Sequence, residues 1–409
     1  MKENEEKTES EKNRTDDEAD FSVEISRGAF DRPQEYVGLP DGCEVVFCCD
    51  EYCPKKFTDV AFSTYRMRKI VTPVEVKATD GELAVVAAGG KDATVLAKKV
   101  AAKTGLPLVI FAFDAGFCGY GDRKTETTDK YGETRSFTVK NKMKIVFDPG
   151  VSSDPDRVAA GYGAICSALV FLFEKEVRSL LCDEKYDRIA AAKVLRAIAG
   201  TIKAETVSSG AAVVCGLAAL TKTFCGERFL GGESVAKVAR LIGKTKSSEE
   251  NAAFFACETM AVYRAVMRCV SPAVVVPDVN ARLDYMSKKF GISPVILTKN
   301  LGAYRSADEV ARKIYCVREF LPELDLKAAA YLKILGFAAK RFKRLYKDRG
   351  FSYNGYARAE EKKICFALAP EIGMPFTLLD LARQTGLSDA LLQRTKNGQS
   401  AQKNQTLSS

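Results

Sequence analysis

The apolar positions in the N-terminal third of the chain fall into short continuous runs, each closed by a glycine or an acid. Three such runs are EVVFCC at 44–49, LAVVAA at 83–88 and LPLVIFAF at 106–113, and a fourth segment, KMKIVF at 142–147, is apolar apart from two lysines. Uninterrupted apolar runs of this length are typical of strands buried on both faces of a parallel sheet. The first run ends at Asp50, and the second leads directly into Gly89 and Gly90.

The segment between the second and third runs has the spacing of an amphipathic helix. Its apolar residues recur three and four positions apart, and Gly105 follows the last of them. A glycine at that place is a common helix end. Strand, glycine turn, helix and strand form a βαβ unit, which is right-handed in nearly all known cases. Residues 122–135 are polar and predict a loop or a hairpin.

After Pro155 the pattern changes to long amphipathic or wholly apolar segments that continue to about residue 385. Long segments with helical spacing predict a second, all-helical domain. The predicted fold class is therefore α/β plus all-α. The predicted divisions are a disordered acidic tail at 1–22, a Rossmann-like nucleotide-binding domain at 40–152, a helical domain at 153–388 and a polar tail at 389–409.

Histidine is absent from all 409 residues, although average usage would give about eight. Histidine is the commonest metal ligand and the commonest acid or base near neutral pH. Zinc sites of the histidine type, Ser-His-Asp triads and Cys-His pairs are therefore excluded. Drift in composition is one explanation, and release from selection for metal chemistry is the other.

The charge and the cysteines point to a cytoplasmic protein. Residues 1–20 hold nine acids and four bases, a net charge of −5, within a chain whose net charge is +9. Such a start is unlike a secretory signal, and no continuous apolar run reaches the roughly 18–20 residues that span a bilayer. Thirteen cysteines are an odd number and fit reduced thiols. Four of them cluster at 43–53 without paired C-x-x-C spacing, which favours small buried hydrophobic residues over a zinc site.

The order of the segments resembles the superfamily of iron-containing alcohol dehydrogenases, dehydroquinate synthases and glycerol dehydrogenases. Within it, the pattern is most similar to sn-glycerol-1-phosphate dehydrogenase. Four segments carry the resemblance: Gly89-Gly90 before a helix, the FDP of 147–149 followed by PDRVAAGYG at 155–163, the GGE of 231–233, and FTLLD at 376–380. Together they extend over roughly residues 43–385.

The resemblance implies a Rossmann-like domain and a helical domain that share an active site. It implies binding of NAD(H) or NADP(H), with the pyrophosphate on the glycine turn at a helix N-terminus. It also implies reduction of dihydroxyacetone phosphate, with a divalent metal ion polarising the carbonyl as a Lewis acid.

The positions that the resemblance assigns to the metal site carry other residues. The position of the metal-binding aspartate reads Ala164, and that of the first metal-binding histidine reads Ser234. A histidine expected four residues later is Val238. The last ligand falls near Glu249 and Glu250, but one carboxylate does not make a three-ligand site. We therefore expect no bound metal.

The cofactor turn is altered as well. Lys91 and Asp92 follow the two glycines where the resemblance implies a further small residue. The Lys91 side chain would either attract a phosphate or fill the space that a pyrophosphate needs. The candidate residues for binding NAD or NADP are Asp50, Gly89, Gly90, Lys91, Asp92 and Gly116.

These observations favour a catalytically impaired or inactive dehydrogenase-like protein that keeps an NAD(P) or phosphate pocket, or that serves as an interaction or regulatory subunit. The alternative is an active NAD(P)-dependent alcohol or polyol-phosphate oxidoreductase without a histidine-bound metal. A basic nucleic-acid-binding regulator is a third hypothesis, because six bases lie within 340–349 and residues 378–398 resemble a helix-turn-helix. A solvated helix face explains those bases better. The expected partner is a small phosphorylated ligand or a nucleotide, and no membrane association is expected. The sequence is compatible with a homo-oligomer.

Overall fold

The structure is a computed structural model of the whole chain. It describes residues 20–70, 81–128, 134–150, 154–204, 210–224, 227, 229–244, 248–269, 278–290, 294, 298, 305–347, 359–371 and 376–387. Contacts divide the chain into two compact units. Unit one comprises residues 1–165 and 192–229, and unit two comprises residues 166–191 and 230–409.

Unit one is built on a six-stranded parallel sheet. Its strands are β1 (Phe21–Ile25), β2 (Glu44–Cys49), β3 (Arg66–Ile70), β4 (Glu82–Gly89), β5 (Leu108–Ala112) and β8 (Met143–Phe147). They lie in the order β1-β8-β5-β4-β2-β3. The polar insertion forms a separate antiparallel pair, β6 (Lys124–Thr128) and β7 (Thr134–Thr138).

The central strands are apolar throughout because both faces of the sheet are covered. One hydrophobic cluster takes alternate residues from β2, β4 and β5, among them Phe47, Val86 and Phe111, and it also includes Val146 of β8. The residues between them, such as Val46 and Ile110, are equally buried on the opposite face. The register pairs Cys49 with Ala88 and Gly89 with Ala112, so the carboxyl ends of β2, β4 and β5 lie side by side.

Several helices of the described residues have all or part of their length in unit one. They are α1 (Pro33–Val37), α2 (Lys55–Thr64), α3 (Lys91–Thr104), the part of α4 (Pro155–Leu181) at 155–165, α5 (Arg188–Lys203) from residue 192, and α6 (Ala211–Thr223). Helix α3 connects β4 to β5 and ends at Gly105, whose φ of 73° allows a left-handed cap. Helix α6 packs against β1 and β8.

Unit two is helical in the part of the chain that the structure describes. Besides residues 166–181 of α4, its helices are α7 (Glu233–Leu241), α8 (Ser248–Cys269), α9 (Val279–Phe290), α10 (Ala307–Glu319), α11 (Leu321–Lys347), α12 (Ala359–Leu368) and α13 (Leu378–Gln384). Helix α8 is central, since α7, α11 and α13 all pack against it. A capping box in which Thr377 and Asp380 bond each other's backbone N–H group starts α13.

Helix α4 is long and apolar enough to span a membrane, but 94% of its apolar window is buried inside the protein. Burial of this kind is typical of a core helix.

The predicted fold class is confirmed: a Rossmann-like parallel sheet with helices is combined with a helical region. The predicted βαβ unit and all four predicted strands are present, and the polar insertion is a hairpin.

The sheet begins earlier than predicted, because β1 starts at Phe21 inside the segment assigned to the acidic tail. The contact-based units also differ from the predicted boundary at 152/153, since residues 155–165 and 192–229 group with the sheet. The remaining tail residues 1–19 and the polar tail 389–409 lie outside the described residues.

Candidate functional site

The strand order places the glycine turn at a break in the sheet topology. Strand β3 lies on one side of β2, and the next strand in sequence, β4, lies on the other. In open parallel sheets, ligands bind beyond the carboxyl ends of the strands at such a switch point. Asp50 follows β2, and Gly89 and Gly90 close β4, so the structure brings these three predicted residues together at this place.

The carboxylate of Asp50 is bonded to the start of helix α3. Its oxygens accept hydrogen bonds from the backbone N–H of Gly90 at 2.9 and 3.1 Å and from that of Ala93 at 3.0 Å. The backbone N–H of Tyr52 donates to the same carboxylate at 3.1 Å. Burial raises the pKa of the Asp50 carboxyl above its ordinary value, although these three donors act in the opposite direction.

The two glycines are required by side chains of the chain itself. Gly89 has a φ of 146°, and a Cβ atom there would lie 2.1 Å from Oδ1 of Asp50. A Cβ atom on Gly90 would lie 2.9 Å from the Asp114 and Tyr52 side chains. Real Cβ contacts are not this short, so both positions exclude every residue except glycine unless neighbours move. The close packing explains the glycines without any ligand.

Asp114, which follows β5, extends the cluster through an ion pair. Its buried carboxylate accepts from Nε of Arg157 at 2.7 Å and from a terminal guanidinium nitrogen of Arg157 at 2.5 Å. The Arg157 guanidinium carbon also lies 5.4 Å from the centre of the Tyr52 ring, within the range of a cation–π contact. The backbone N–H of Gly116 donates to Asp114 at 2.7 Å.

A buried tyrosine fixes the strand ends to each other. The Tyr120 hydroxyl accepts from the backbone N–H of Asp114 at 3.0 Å, and the carbonyls of Gly89 and Asp114 both lie 3.0 Å from it as acceptors. Burial raises the pKa of Tyr120 well above its ordinary value, so the hydroxyl keeps its proton. Tyr120 thus holds the loop after β5 against the glycine turn.

The other predicted cofactor residues have simpler surroundings. Lys91 and Asp92 are exposed at the first turn of α3, and Gly116 lies in the loop that Asp114 and Arg157 hold. A Cβ atom on Gly116 would lie 2.7 Å from the Arg157 guanidinium. The structure therefore brings all six predicted residues to the carboxyl edge of the sheet, and whether they bind a cofactor stays a prediction.

The dinucleotide that the fold implies does not fit the turn in this arrangement. A pyrophosphate on a glycine turn is bound by backbone N–H groups at the helix N-terminus. Here the N–H groups of Gly90 and Ala93 are already bonded to the Asp50 carboxylate, and Tyr52 and Asp114 crowd Gly90. A pyrophosphate would have to displace these side chains first.

The positions that the resemblance assigns to the metal carry buried side chains of unsuitable chemistry. In unit one, Ala164 lies within α4 and is 0% exposed. In unit two, Ser234 and Val238 lie one turn apart on α7, and both are buried. Glu250 is buried in the first turn of α8, where an acid also stabilises the helix dipole. Among the described residues, no group of three or more His, Cys, Asp or Glu side chains is arranged to hold a metal ion.

The GGE segment has a structural role in unit two. A Cβ atom on Gly231 would lie 2.1 Å from the backbone nitrogen of Phe171, so this glycine lets the turn contact the backbone of α4. The backbone N–H of Gly232 donates at 3.0 Å to buried Glu174, which also accepts from the Tyr263 hydroxyl at 2.5 Å. Burial raises the pKa of Glu174 above its ordinary value.

Sequence reasoning missed Tyr52, Tyr120 and Arg157 as members of the cluster around the turn. Asp114 carried the same signal as Asp50, namely an acid directly after a buried strand. No local pattern marks the other three, because each reaches the turn through a contact between distant segments.

Two regions that suggested nucleic-acid binding are described only in part. Lys340 and Arg344 are exposed on α11, whereas Arg349 lies outside the described residues. Helix α13 ends at Gln384, and residues 388–398 of the suggested helix-turn-helix are also outside them.

Comparisons with known proteins show similarity at the level of structure. No family model matches the sequence, and no curated protein matches it. The structure is similar to maleylacetate reductase from Agrobacterium tumefaciens, with a TM-score of 0.50 and 13% identity, over 91% of this chain and 95% of that chain. It is also similar to an iron-containing alcohol dehydrogenase from Corynebacterium glutamicum, with a TM-score of 0.50 and 14% identity, over 90% of this chain and 94% of that chain. A further similarity is to maleylacetate reductase from Rhizobium sp. strain MTP-10005, with a TM-score of 0.50 and 12% identity, over 91% and 95%.

The chain therefore has the fold of the iron-containing alcohol dehydrogenases and their dehydroquinate-synthase-like relatives. The resemblance inferred from the sequence is confirmed at this level. Identities of 12–14% show the fold and leave activity to be argued from the site.

Proposed function

We propose that this chain is a catalytically impaired or inactive protein with the iron-containing alcohol dehydrogenase fold, similar in pattern to sn-glycerol-1-phosphate dehydrogenase. On this proposal it lacks metal-dependent hydride transfer and acts as a cytoplasmic interaction or regulatory protein. The observation that carries the proposal is the chemistry of the residues at the expected metal positions.

Alanine and valine have no donor atom, and a serine hydroxyl is a poor ligand for zinc or iron compared with imidazole or carboxylate. Ala164, Ser234 and Val238 are all buried. A neighbouring residue could therefore take over one of these positions as a ligand only if the structure rearranged. Glu250 supplies at most one carboxylate group. Because the sequence has no histidine, no other segment supplies imidazole.

The cost to catalysis follows from the role of the metal. A Lewis acid lowers the barrier to attack on a carbonyl by several kcal/mol, and each 1.36 kcal/mol is a factor of about ten in rate. Loss of that contribution reduces turnover by orders of magnitude.

The test combines metal analysis with an activity assay on the full chain. After incubation with zinc, iron or nickel and then dialysis, we expect much less than one metal equivalent per chain. We also expect no oxidation of NADPH or NADH above background with dihydroxyacetone phosphate.

One bound equivalent with metal-dependent turnover would contradict the proposal. Turnover without metal that disappears in Glu250→Ala would establish the active alternative instead. Lys56→Ala, which removes an exposed side chain paired with Asp31, is the matched control.

A further inference from the structure

We infer that the Asp50 carboxylate is a built-in occupant of the glycine turn, taking the place on helix α3 that the pyrophosphate of a dinucleotide would take. The loss of metal ligands does not by itself decide whether a nucleotide binds, so this inference goes beyond the proposed function. It concerns a different element of unit one and has its own test.

The first argument is hydrogen-bond geometry. An anion at a helix N-terminus is held by backbone N–H groups that lack partners within the helix. The Asp50 carboxylate accepts from two of these groups, at Gly90 and Ala93, with distances of 2.9–3.1 Å. A carboxylate and a phosphate oxygen make the same demand on these donors, so they compete for one place.

The second argument is space. The Cβ positions of Gly89 and Gly90 are already filled by atoms of Asp50, Asp114 and Tyr52. In a dinucleotide-binding turn, glycine allows the ligand to approach the backbone closely. Here the side chains of Asp50, Asp114 and Tyr52 approach the glycine backbone instead.

The third argument is that the surrounding side chains are fixed. Arg157 bonds both oxygens of Asp114 and lies over the Tyr52 ring, and Tyr120 bonds the backbone at Gly89 and Asp114. A ligand at Gly90 would meet the Tyr52 and Asp114 side chains, which these contacts hold in place. Removing one partner of such an ion pair is strongly unfavourable.

The test is a binding titration with NADPH, NADH and inorganic pyrophosphate, followed by calorimetry. The fluorescence of the reduced nucleotides reports their binding, and calorimetry reports the binding of pyrophosphate. The wild-type chain is expected to show no saturable binding of any probe up to about 1 mM. Asp50→Ala frees the two N–H groups and is expected to bind pyrophosphate at least about tenfold more tightly than the wild type.

Two variants control for charge and for volume. Glu51→Gln removes an exposed acid from the adjacent position and is expected to behave as the wild type. Asp50→Asn keeps the volume and an acceptor oxygen, so it is expected to gain less binding than Asp50→Ala. Circular dichroism and thermal unfolding show whether each variant is folded.

Saturable micromolar binding of NADPH to the wild type would overturn the inference, and so would an Asp50→Ala variant that is folded but binds pyrophosphate no better than the wild type. If Asp50→Ala does not fold, the titration of the wild type with NADPH still tests the inference, because saturable binding would contradict it. Nucleotide binding without turnover contradicts this inference and leaves the proposed function intact. Metal uptake with turnover contradicts the proposed function.

Discussion

Arg157 forms a bidentate ion pair with Asp114, with its Nε and one terminal nitrogen 2.7 and 2.5 Å from the two carboxylate oxygens. The side chain of Asp114 is 0% exposed and that of Arg157 is 25% exposed. Arg157 belongs to the PDRVAAGYG segment, and Asp114 follows β5. The segment that carried the resemblance is therefore tied to the sheet at the glycine turn.

Replacing Arg157 by alanine should destabilise the protein strongly. The change leaves the Asp114 carboxylate buried without its cation, which typically costs about 3 kcal/mol or more. The measurement is the urea-unfolding midpoint of the full chain. Adding Asp114→Asn to Arg157→Ala should recover part of the loss, because the neutral amide tolerates burial better.

The control for this prediction is Arg32→Ala. Arg32 pairs with Glu35 on the surface, where both side chains are about half exposed, and such pairs contribute about 0–1 kcal/mol. Equal destabilisation by the two arginine variants would contradict the importance of the Asp114 pair.

Two helix glycines in unit one should respond in opposite ways to alanine. A Cβ atom on Gly161 in α4 would lie 2.0 Å from the backbone oxygen of Ala115, whereas a Cβ atom on Gly200 in α5 would meet nothing within 4 Å. Gly200→Ala should stabilise the protein by about 0.5–1 kcal/mol through helix propensity.

Gly161→Ala should destabilise the protein by more than about 2 kcal/mol, because a backbone atom is in the way. Thermal unfolding of the two variants beside the wild type checks both signs. A stabilised Gly161→Ala variant would show that α4 does not approach the Ala115 backbone as described.

The contrast between these glycines also shows what the sequence could and could not reveal. The AAGYG segment was recognised as a pattern, but its physical reason, the close approach of α4 to Ala115, joins segments far apart in the chain. The four central strands were predictable because both faces are buried and the apolar runs are therefore continuous. Strand β3, RMRKI, was missed because it is an edge strand with mostly exposed or half-buried side chains.

The candidate site was predictable to a similar degree. Asp50, Gly89 and Gly90 lie at the ends of predicted strands, so their meeting follows from a parallel sheet. That the Asp50 carboxylate bonds to Gly90 and Ala93 depends on side-chain placement, which no spacing rule supplies. The sequence also could not predict that α6 belongs to the same unit as the sheet. A helix that packs on β1 has the same apolar pattern as a helix that packs on other helices.

Asp380 should make stability depend on pH in the acid range. Burial raises the pKa of its carboxyl from 3.8 to about 6 in the folded chain. Because the folded-state pKa is the higher one, the protonated form stabilises the fold. The contribution is fully present below about pH 4 and is lost as the pH rises through about 6.

The comparison that isolates this group is the wild type against Asp380→Asn. The difference in unfolding free energy between them should change by about 2–3 kcal/mol between about pH 4 and pH 7, with the wild type losing relative stability as the pH rises. Asp325 acts with the opposite sign, because Arg264 and Arg268 lower its pKa, but it is common to both proteins and cancels. A difference that is constant with pH would refute the assignment.

Tyr263 should stabilise unit two through its hydroxyl group rather than its ring. The hydroxyl donates at 2.5 Å to Glu174, and the Gly232 N–H donates to the same oxygen at 3.0 Å. Tyr263 is 1% exposed and Glu174 is 6% exposed, so water does not readily replace a lost donor. Tyr263→Phe keeps the ring and should destabilise the protein by about 1–3 kcal/mol, because it leaves a buried carboxyl oxygen without this donor.

The matched control is Tyr315→Phe, which removes the same atom from a side chain that is 70% exposed and should change stability by less than about 0.5 kcal/mol. In a Glu174→Ala background the cost of Tyr263→Phe should fall, because the hydroxyl then has no carboxyl partner to lose. Urea unfolding of the single and double variants measures this coupling. If Tyr263→Phe unfolds at the same urea concentration as Tyr315→Phe, the hydroxyl does not hold Glu174, and the GGE turn must be fixed by the packing of Gly231 alone.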